Sequence, residues 1–157
     1  MKKHNVRRLL VLVLVVALCL LCGAAAQPNP KEIHIYSADD FVQLSKSCKL
    51  DTYSQGKTVY LDSDVDLSGS KFVPIPTFGG TFDGGGHTIS GLALKSNRTH
   101  VGLFRYVQAE GIVRGLRVLG VVTPAGDARS VGGIAGENRG LIEACRFSGT
   151  VVGDTYV

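Results

Sequence analysis

Outside its leading segment, Met1–Ala26, this 157-residue chain has no excess of charge of either sign. Four of its 17 lysines and arginines lie in that leading segment, which contains none of its 13 acidic residues. The rest of the chain therefore carries 13 basic and 13 acidic side chains. A neutral chain without a basic run interleaved with aromatic residues gives no support for nucleic-acid binding, and we predict no nucleic-acid partner.

Cysteine is scarce as well, since only Cys48 and Cys145 lie outside the leading segment. A disulfide between them would be allowed in an oxidising compartment. However, Cys145 falls at a repeated position that elsewhere holds leucine, and Cys48 lies near the end of a predicted helix. Buried free thiols are therefore the favoured interpretation, with the disulfide as the alternative.

Short metal and catalytic motifs are missing too. No H-E-x-x-H segment occurs, and the histidines outside the leading segment, His34, His87 and His100, lack the spacing of metal ligands. No nucleophile elbow supports a Ser/His/Asp arrangement. We predict no cofactor and no enzymatic activity.

The leading segment has the pattern of a secretory signal peptide. Its four basic residues, Lys2, Lys3, Arg7 and Arg8, precede an apolar run over Leu9–Cys22 and the small residues of Gly23–Ala26. The pattern predicts cleavage after Ala26, leaving Gln27 as the mature N-terminus. An uncleaved anchor is the alternative, although about 14 apolar residues fall short of the roughly 20 that span a bilayer. Lipidation at Cys22 is disfavoured because Leu21 precedes it.

Three hexapeptides share an order of apolar, outward and small residues: Ile89–Leu94, Val113–Val118 and Ile142–Phe147. Their starting positions recur with a period in the twenties. Short strands and glycine turns at such a period predict a solenoid, in which each repeat buries its apolar face against its neighbours. Aligned copies place Arg114 beside Glu143 and Arg117 beside Arg146, and the paired arginines could meet an acidic glycan.

A helix is predicted over Ala38–Ser47, after a first strand over Glu32–Tyr36. Ser37 is its expected N-cap, and two aspartates in the first turn favour the positive end of the helix dipole. Its apolar side comprises Phe41, Val42, Leu44 and Leu50. We expect this helix to cover the open end of the stack, which would otherwise expose an apolar interior and unpaired backbone groups.

Alternating apolar residues predict another strand over Thr58–Leu67. On it, Asp62, Asp64 and Asp66 would share one face, where a calcium ion could bind. The spacing is not that of an EF-hand, because Leu67 stands where glycine is required. Solvated or turn-forming aspartates are the favoured interpretation.

The segment Val131–Cys145, V-G-G-I-A-G-E-N-R-G-L-I-E-A-C, resembles the GLUG motif of β-helical bacterial surface proteins. These include filamentous-haemagglutinin-like adhesins and the non-catalytic regions of IgA-specific metallopeptidases. Tyr60–Leu67 and the turn G-T-F-D-G-G-G-H-T-I over Gly80–Ile89 also look like segments that precede such motifs. Val101–Phe104 resembles a degenerate first copy, which departs from the pattern at Arg105, where glycine is common.

Within these motifs, the residues predicted to be structural are Asp83, Gly84, Gly86, His87, Gly132, Gly133, Gly136, Asn138, Gly140 and Cys145. The last four glycines are expected to allow tight corners and positive φ angles, and Asn138 to satisfy backbone groups at a corner. A catalytic role for Asp83 would need a second carboxylate or a basic partner brought close by the fold. His87 is a turn or rung residue rather than a base.

The predicted fold is all-β: a right-handed, single-stranded parallel β-helix with an N-terminal capping α-helix. Residues 27–70 form the cap and first strands, and residues 71–157 the rungs, with the stack expected to be truncated at its C-terminal end. The resemblance implies a secreted or cell-surface scaffold for adhesion or ligand display, with a host or matrix glycan or protein as partner. Self-association through the open end is a further expectation. The alternative is the N-terminal part of a β-helical polysaccharide lyase or glycoside hydrolase, which charged residues clustered along one groove would favour.

Overall fold

The computed structural model describes residues 31–126 and 129–153. The predicted signal peptide, Cys22, Gln27, part of the loop between Thr123 and Ser130, and the end of the chain lie outside the described residues. The elements are, in order, β1 (Glu32–Ile35), α1 (Ala38–Ser47), β2 (Thr58–Leu61), β3 (Val65–Asp66), β4 (Thr81–Asp83), β5 (Thr88–Leu94), β6 (His100–Val101), β7 (Phe104–Val107), β8 (Ile112–Arg114), β9 (Arg117–Val122), β10 (Ser130–Val131), β11 (Ala135–Asn138), β12 (Leu141–Glu143) and β13 (Arg146–Val151).

These strands stack as a parallel β-solenoid of about four turns. A five-stranded sheet has the order β1-β2-β4-β8-β12, and a four-stranded sheet has the order β13-β9-β5-β3. The pairs β6–β10 and β7–β11 add two short parallel sheets. Successive chain turns thus add strands to the same faces in parallel, which confirms the predicted parallel β-helix.

The interior is filled by the residues that alternate with outward-facing ones along each strand. On the five-stranded sheet, Val59, Phe82 and Val113 lie in one inward row and are fully buried. Phe82 also contacts the rings of Phe78 and Phe104, with centroid separations of 6.2 and 5.4 Å. Burial of such side chains contributes about 1.5–3 kcal/mol each, so this row is a main source of stability.

The helix α1 has the predicted bounds and the predicted cap. The Ser37 hydroxyl oxygen accepts a hydrogen bond from the Asp40 amide at 3.3 Å, and the hydroxyl donates to the Asp40 carboxylate at 2.8 Å. Phe41 is fully buried, and its ring centroid lies 6.0 Å from that of Phe82, which places the helix against the apolar interior. Leu50 was expected on the apolar side, but this is wrong: it follows the helix and is 64% exposed.

Strand register corrects one of the three predicted repeat copies. Val113 pairs with Ile142, which confirms the predicted alignment of the second and third copies. Ile89, however, pairs with Val118, and Val113 pairs on its other side with Phe82. The same order of apolar and small residues occurs on two different faces of the solenoid, and the hexapeptides that begin at Ile89 and Val113 are therefore out of register with each other.

The prediction of positive φ angles at four glycines is wrong, because the positive-φ glycines of the described residues lie elsewhere. The four are Gly132, Gly133, Gly136 and Gly140. A Cβ on Gly136 would lie 2.7 Å from the Val101 amide nitrogen, and one on Gly133 would overlap the Phe147 ring. Close packing therefore requires glycine here, against the neighbouring rung at Gly136 and within the same rung at Gly133, whereas backbone conformation does not.

The helix of the described residues, only ten residues long, is too short to cross a membrane.

Candidate functional site on the outer face of the five-stranded sheet

The outer face of the five-stranded sheet carries one straight row of polar and aromatic side chains. Strand register places His34, Tyr60, Asp83, Arg114 and Glu143 side by side, one from each of the five strands. We call this row the outer ladder. Neighbouring strands lie about 4.8 Å apart, so these side chains form a regular array on a rigid support.

The N-terminal end of the outer ladder is aromatic. The His34 ring stacks between Tyr60 and Tyr36, with centroid distances of 5.3 and 6.2 Å and interplanar angles of 21° and 15°. Asp62 fixes the orientation of this ring, since its Oδ2 lies 2.7 Å from His34 Nδ1. Tyr36 is 63% exposed, so the stack presents ring surface to solvent.

The middle of the outer ladder is an ion pair between Asp83 and Arg114. Nε and Nη2 of Arg114 donate to Asp83 Oδ2 at 3.0 and 2.8 Å, and the Gly85 amide donates to Oδ1 at 3.0 Å. Partial burial opposes ionisation of Asp83, but the Gly85 amide and the guanidinium outweigh it and lower its pKa. Asp83 in turn raises the pKa of Arg114. The fold thus supplies the basic partner of Asp83 that the local sequence does not identify.

The prediction that three aspartates share one strand face is wrong. The stretch Thr58–Leu67 forms two strands, β2 and β3, and the chain turns a corner between them. Asp62 contacts His34, whereas Asp64 accepts from the Thr88 amide at 2.8 Å and lies 3.2 Å from His87 Nδ1. Asp66 accepts from the Ser68 amide at 2.9 Å.

Each of these last two carboxylates is stabilised by its own neighbours. The hydrogen bond from the Thr88 amide is the main cause that lowers the pKa of Asp64, and the hydrogen bond with His87 adds to it. The Ser68 amide lowers the pKa of Asp66 in the same way. Within residues 31–126 and 129–153, no three His, Cys, Asp or Glu side chains converge as metal ligands would. His87 follows a turn in which Gly86 has φ 80°.

The motif-like segment Val131–Cys145 stacks on its degenerate copy, with Val131 paired to Val101. Asn138 lies at a corner, where its Oδ1 accepts from the Gly140 amide at 3.0 Å and its Nδ2 donates to the Gly140 carbonyl at 3.3 Å. Glu137 is shared by two basic side chains, His100 at 2.9 Å and Arg139 at 2.9 Å.

Both described cysteines are free thiols. Burial raises the pKa of Cys48 to about 11, despite the opposing effects of Ser54 and Lys57. Partial burial also raises the pKa of Cys145, whose thiol donates to the Glu143 carbonyl at 3.2 Å.

Cys145 lies over Leu116, as the register of the next residues, Arg146 and Arg117, requires. It does not continue the predicted stack to Leu92, which pairs with Gly120.

Sequence reasoning missed a second feature, a groove of about 410 Å³ whose cationic side chains are Lys49, Lys95, Arg98 and Arg105. We call it the basic groove. Its residues come from four segments that are distant in the chain or separated by turns. No short sequence motif predicts that these segments meet. The one sequence signal is at Arg105, because the GLUG motif that this segment resembles commonly has glycine there.

Comparison with known proteins gives one similarity. The chain is 27% identical over 146 residues to Halomucin from Haloquadratum walsbyi (strain DSM 16790 / HBSQ001), an alignment that covers 86% of this chain and 2% of that protein. The chain therefore spans a small fraction of the length of this relative. No protein-family model matches the chain. No solved structure matches it either.

Proposed function

We propose that this chain is a secreted or cell-surface, non-enzymatic β-helical scaffold for adhesion or ligand display. The observation that carries the proposal is the outer ladder, in which five neighbouring strands present aromatic and charged side chains in one register. A rigid, evenly spaced array of this kind suits the binding of an extended partner.

The state of the carboxylates supports a binding role. A glycoside hydrolase needs a carboxylic acid whose pKa is raised, so that it can protonate the leaving group. Among residues 31–126 and 129–153, the carboxyl groups with a shifted pKa are Asp40, Asp64, Asp66 and Asp83, and the pKa of each is lowered. Each is held by backbone amides or neighbouring side chains, which is the arrangement of a structural residue.

Location and partner follow from the sequence. The signal-like segment and the resemblance to GLUG-containing surface proteins support a secreted or cell-surface place in a bacterium, with a host or matrix glycan or protein as ligand. The similarity to a protein named Halomucin agrees with an extracellular setting. Self-association is part of the proposal, because β12 and β13 each pair with a single strand among the described residues.

The alternative is the N-terminal part of a β-helical polysaccharide lyase or glycoside hydrolase. The basic groove favours it, since charged residues clustered along one groove are what such an enzyme would need. Among the described residues no carboxylate lines that groove, which favours ligand binding over acid–base hydrolysis.

One experiment separates the two functions. The full chain is incubated with immobilised neutral and acidic polysaccharides, and both retention of protein and release of soluble sugar are measured. Retention without release is expected, and Tyr60→Ala with Arg114→Ala should reduce it. Release of sugar that is lost together with the basic residues of the groove would establish the enzyme instead. Absence of retention on every surface would overturn the adhesion proposal.

A further inference from the structure

The basic groove has the volume of a ligand pocket. It lies where the end of β5 meets β6 and β7, beside Lys49 after the end of α1 and the segment 72–76. Its volume of about 410 Å³ falls within the roughly 300–1,000 Å³ usual for ligand pockets. It lies apart from the outer ladder, which occupies a different face of the solenoid.

The cations of the groove have no carboxylate counterion in the part of the chain that the structure describes. Among residues 31–126 and 129–153, none of Lys49, Lys95, Arg98 and Arg105 has a carboxylate within 4.0 Å. The carboxylate of Glu137, on the neighbouring rung, is occupied by His100 and Arg139. Like charges held together without a counterion attract an anion.

Arg105 is held in place for such a ligand. It extends from β7, is half-buried, and its Nε donates to the His100 carbonyl at 3.3 Å. Partial burial, reinforced by the positive charge of Arg98, lowers the pKa of Arg105. One hydrogen bond to a carbonyl leaves the other guanidinium donors available. A fixed guanidinium binds a carboxylate at lower entropic cost than a mobile lysine.

Part of the lining of the groove is apolar and comprises Phe72, Val73, Pro74 and Pro76. Val73 is 49% exposed, so this apolar lining is accessible from solvent. A sugar ring that bears a carboxylate suits these surroundings, because its C–H faces can pack on the apolar lining while its charge meets the guanidinium groups. Single-stranded nucleic acid would instead call for several stacking aromatic rings, and among the described residues Phe72 is the one phenylalanine, tyrosine or tryptophan in the lining.

We infer that the basic groove binds uronate residues of an acidic polysaccharide. This inference rests on the proposed function, since it names the ligand class of the display scaffold. It adds the groove as a contact site beside the outer ladder, in place of the paired arginines that the sequence suggested for an acidic glycan. No bond is made or broken in the binding.

The test measures the affinity of the full chain for polygalacturonate by isothermal titration calorimetry. The groove variant combines Arg98→Gln with Arg105→Gly. Glycine is chosen at position 105 because Gly136 is the neighbour of Arg105 in the next rung. The matched control is Arg117→Gln with Arg146→Gln, which removes the same charge from a different sheet. We expect the groove variant to bind at least about tenfold more weakly and the control to change by less than about twofold.

Melting curves show whether the groove variant remains folded, and the exposed Lys95→Gln provides a second variant that alters no packed residue. Equal losses in the groove and control variants would overturn the inference in favour of non-specific attraction. So would displacement of polygalacturonate by single-stranded DNA at equal charge, or groove-dependent binding of dextran sulfate but not of polygalacturonate. Binding of neutral polysaccharides alone would contradict the uronate site but would remain consistent with the display scaffold.

Discussion

The helix-capped side of the described stack and its last described rung, formed by β12 and β13, bury the same kind of interior to different extents. At the helix end, Phe41 packs near Phe82, and both are fully buried. In the rung formed by β12 and β13, the inward residues Ile142 and Phe147 are only partly buried, although their partners one rung away, Val113 and Val118, are fully buried. An inward residue of a solenoid therefore gains its full stabilisation only when rungs or a cap cover it on both sides.

The largest test of this comparison is an aspartate placed at the same position in adjacent rungs. Leu116→Asp buries a charge in a fully enclosed site, and we expect loss of cooperative folding. Cys145→Asp, in the last rung, should remain folded and lose about 1–3 kcal/mol, because water reaches the site. Urea denaturation followed by circular dichroism measures both. A Leu116→Asp protein that unfolds cooperatively would contradict the stacking.

Replacing one phenylalanine in each region by alanine measures the difference in burial as a difference in the free energy of unfolding. Phe82→Ala should cost about 3–5 kcal/mol, since the ring is fully buried among three other aromatic rings. Phe147→Ala removes the same atoms from a half-buried site, and about 1–2 kcal/mol is expected. Equal costs, measured from the midpoints of urea unfolding, would mean that the last rung is as well covered as the others.

The thiols of Cys48 and Cys145 report on the same difference with the large apolar side chains unchanged. Cys48 is fully buried with a pKa raised to about 11, and Cys145 is partly buried in the last rung. Reaction requires the thiolate and access of the reagent, so labelling with a thiol reagent should be slow at both and at least about tenfold slower at Cys48. Cys48→Ser and Cys145→Ser variants assign the two rates. Faster labelling at Cys48 would show that α1 opens more readily than the last rung.

The smallest expected effect concerns the ion pair of the outer ladder. The folded-state pKa of Asp83 is lowered, so this group adds stability above its unfolded pKa of about 3.9 and loses it as pH falls through the folded value. Asp83→Asn should lower Tm slightly at neutral pH, and the difference should vanish in acid. Glu143→Gln, in the last rung, is the control. A Tm difference for Asp83→Asn that persists at low pH would assign the effect to packing instead of charge.

The local features of the sequence were predictable because they depend on near neighbours. Ser37 caps a helix whose bounds, Ala38–Ser47, follow from capping and apolar spacing alone. The predicted alignment of Val113 with Ile142 likewise survives in the structure. The first copy was misaligned, because Ile89 and Val113 share a pattern of apolar and small residues but lie on different sheets.

The sequence by itself therefore determined a parallel stack with a capped helix, since strand period, glycine turns and helix capping are local properties. Only the tertiary structure decided which side chains meet. Asp83 finds Arg114 on the next strand of the sheet, and Arg105 joins Lys49 and Arg98 in one groove, through contacts set by rung length and register. Such contacts depend on the combined length of all the loops between the two residues that meet. A short motif cannot predict that length.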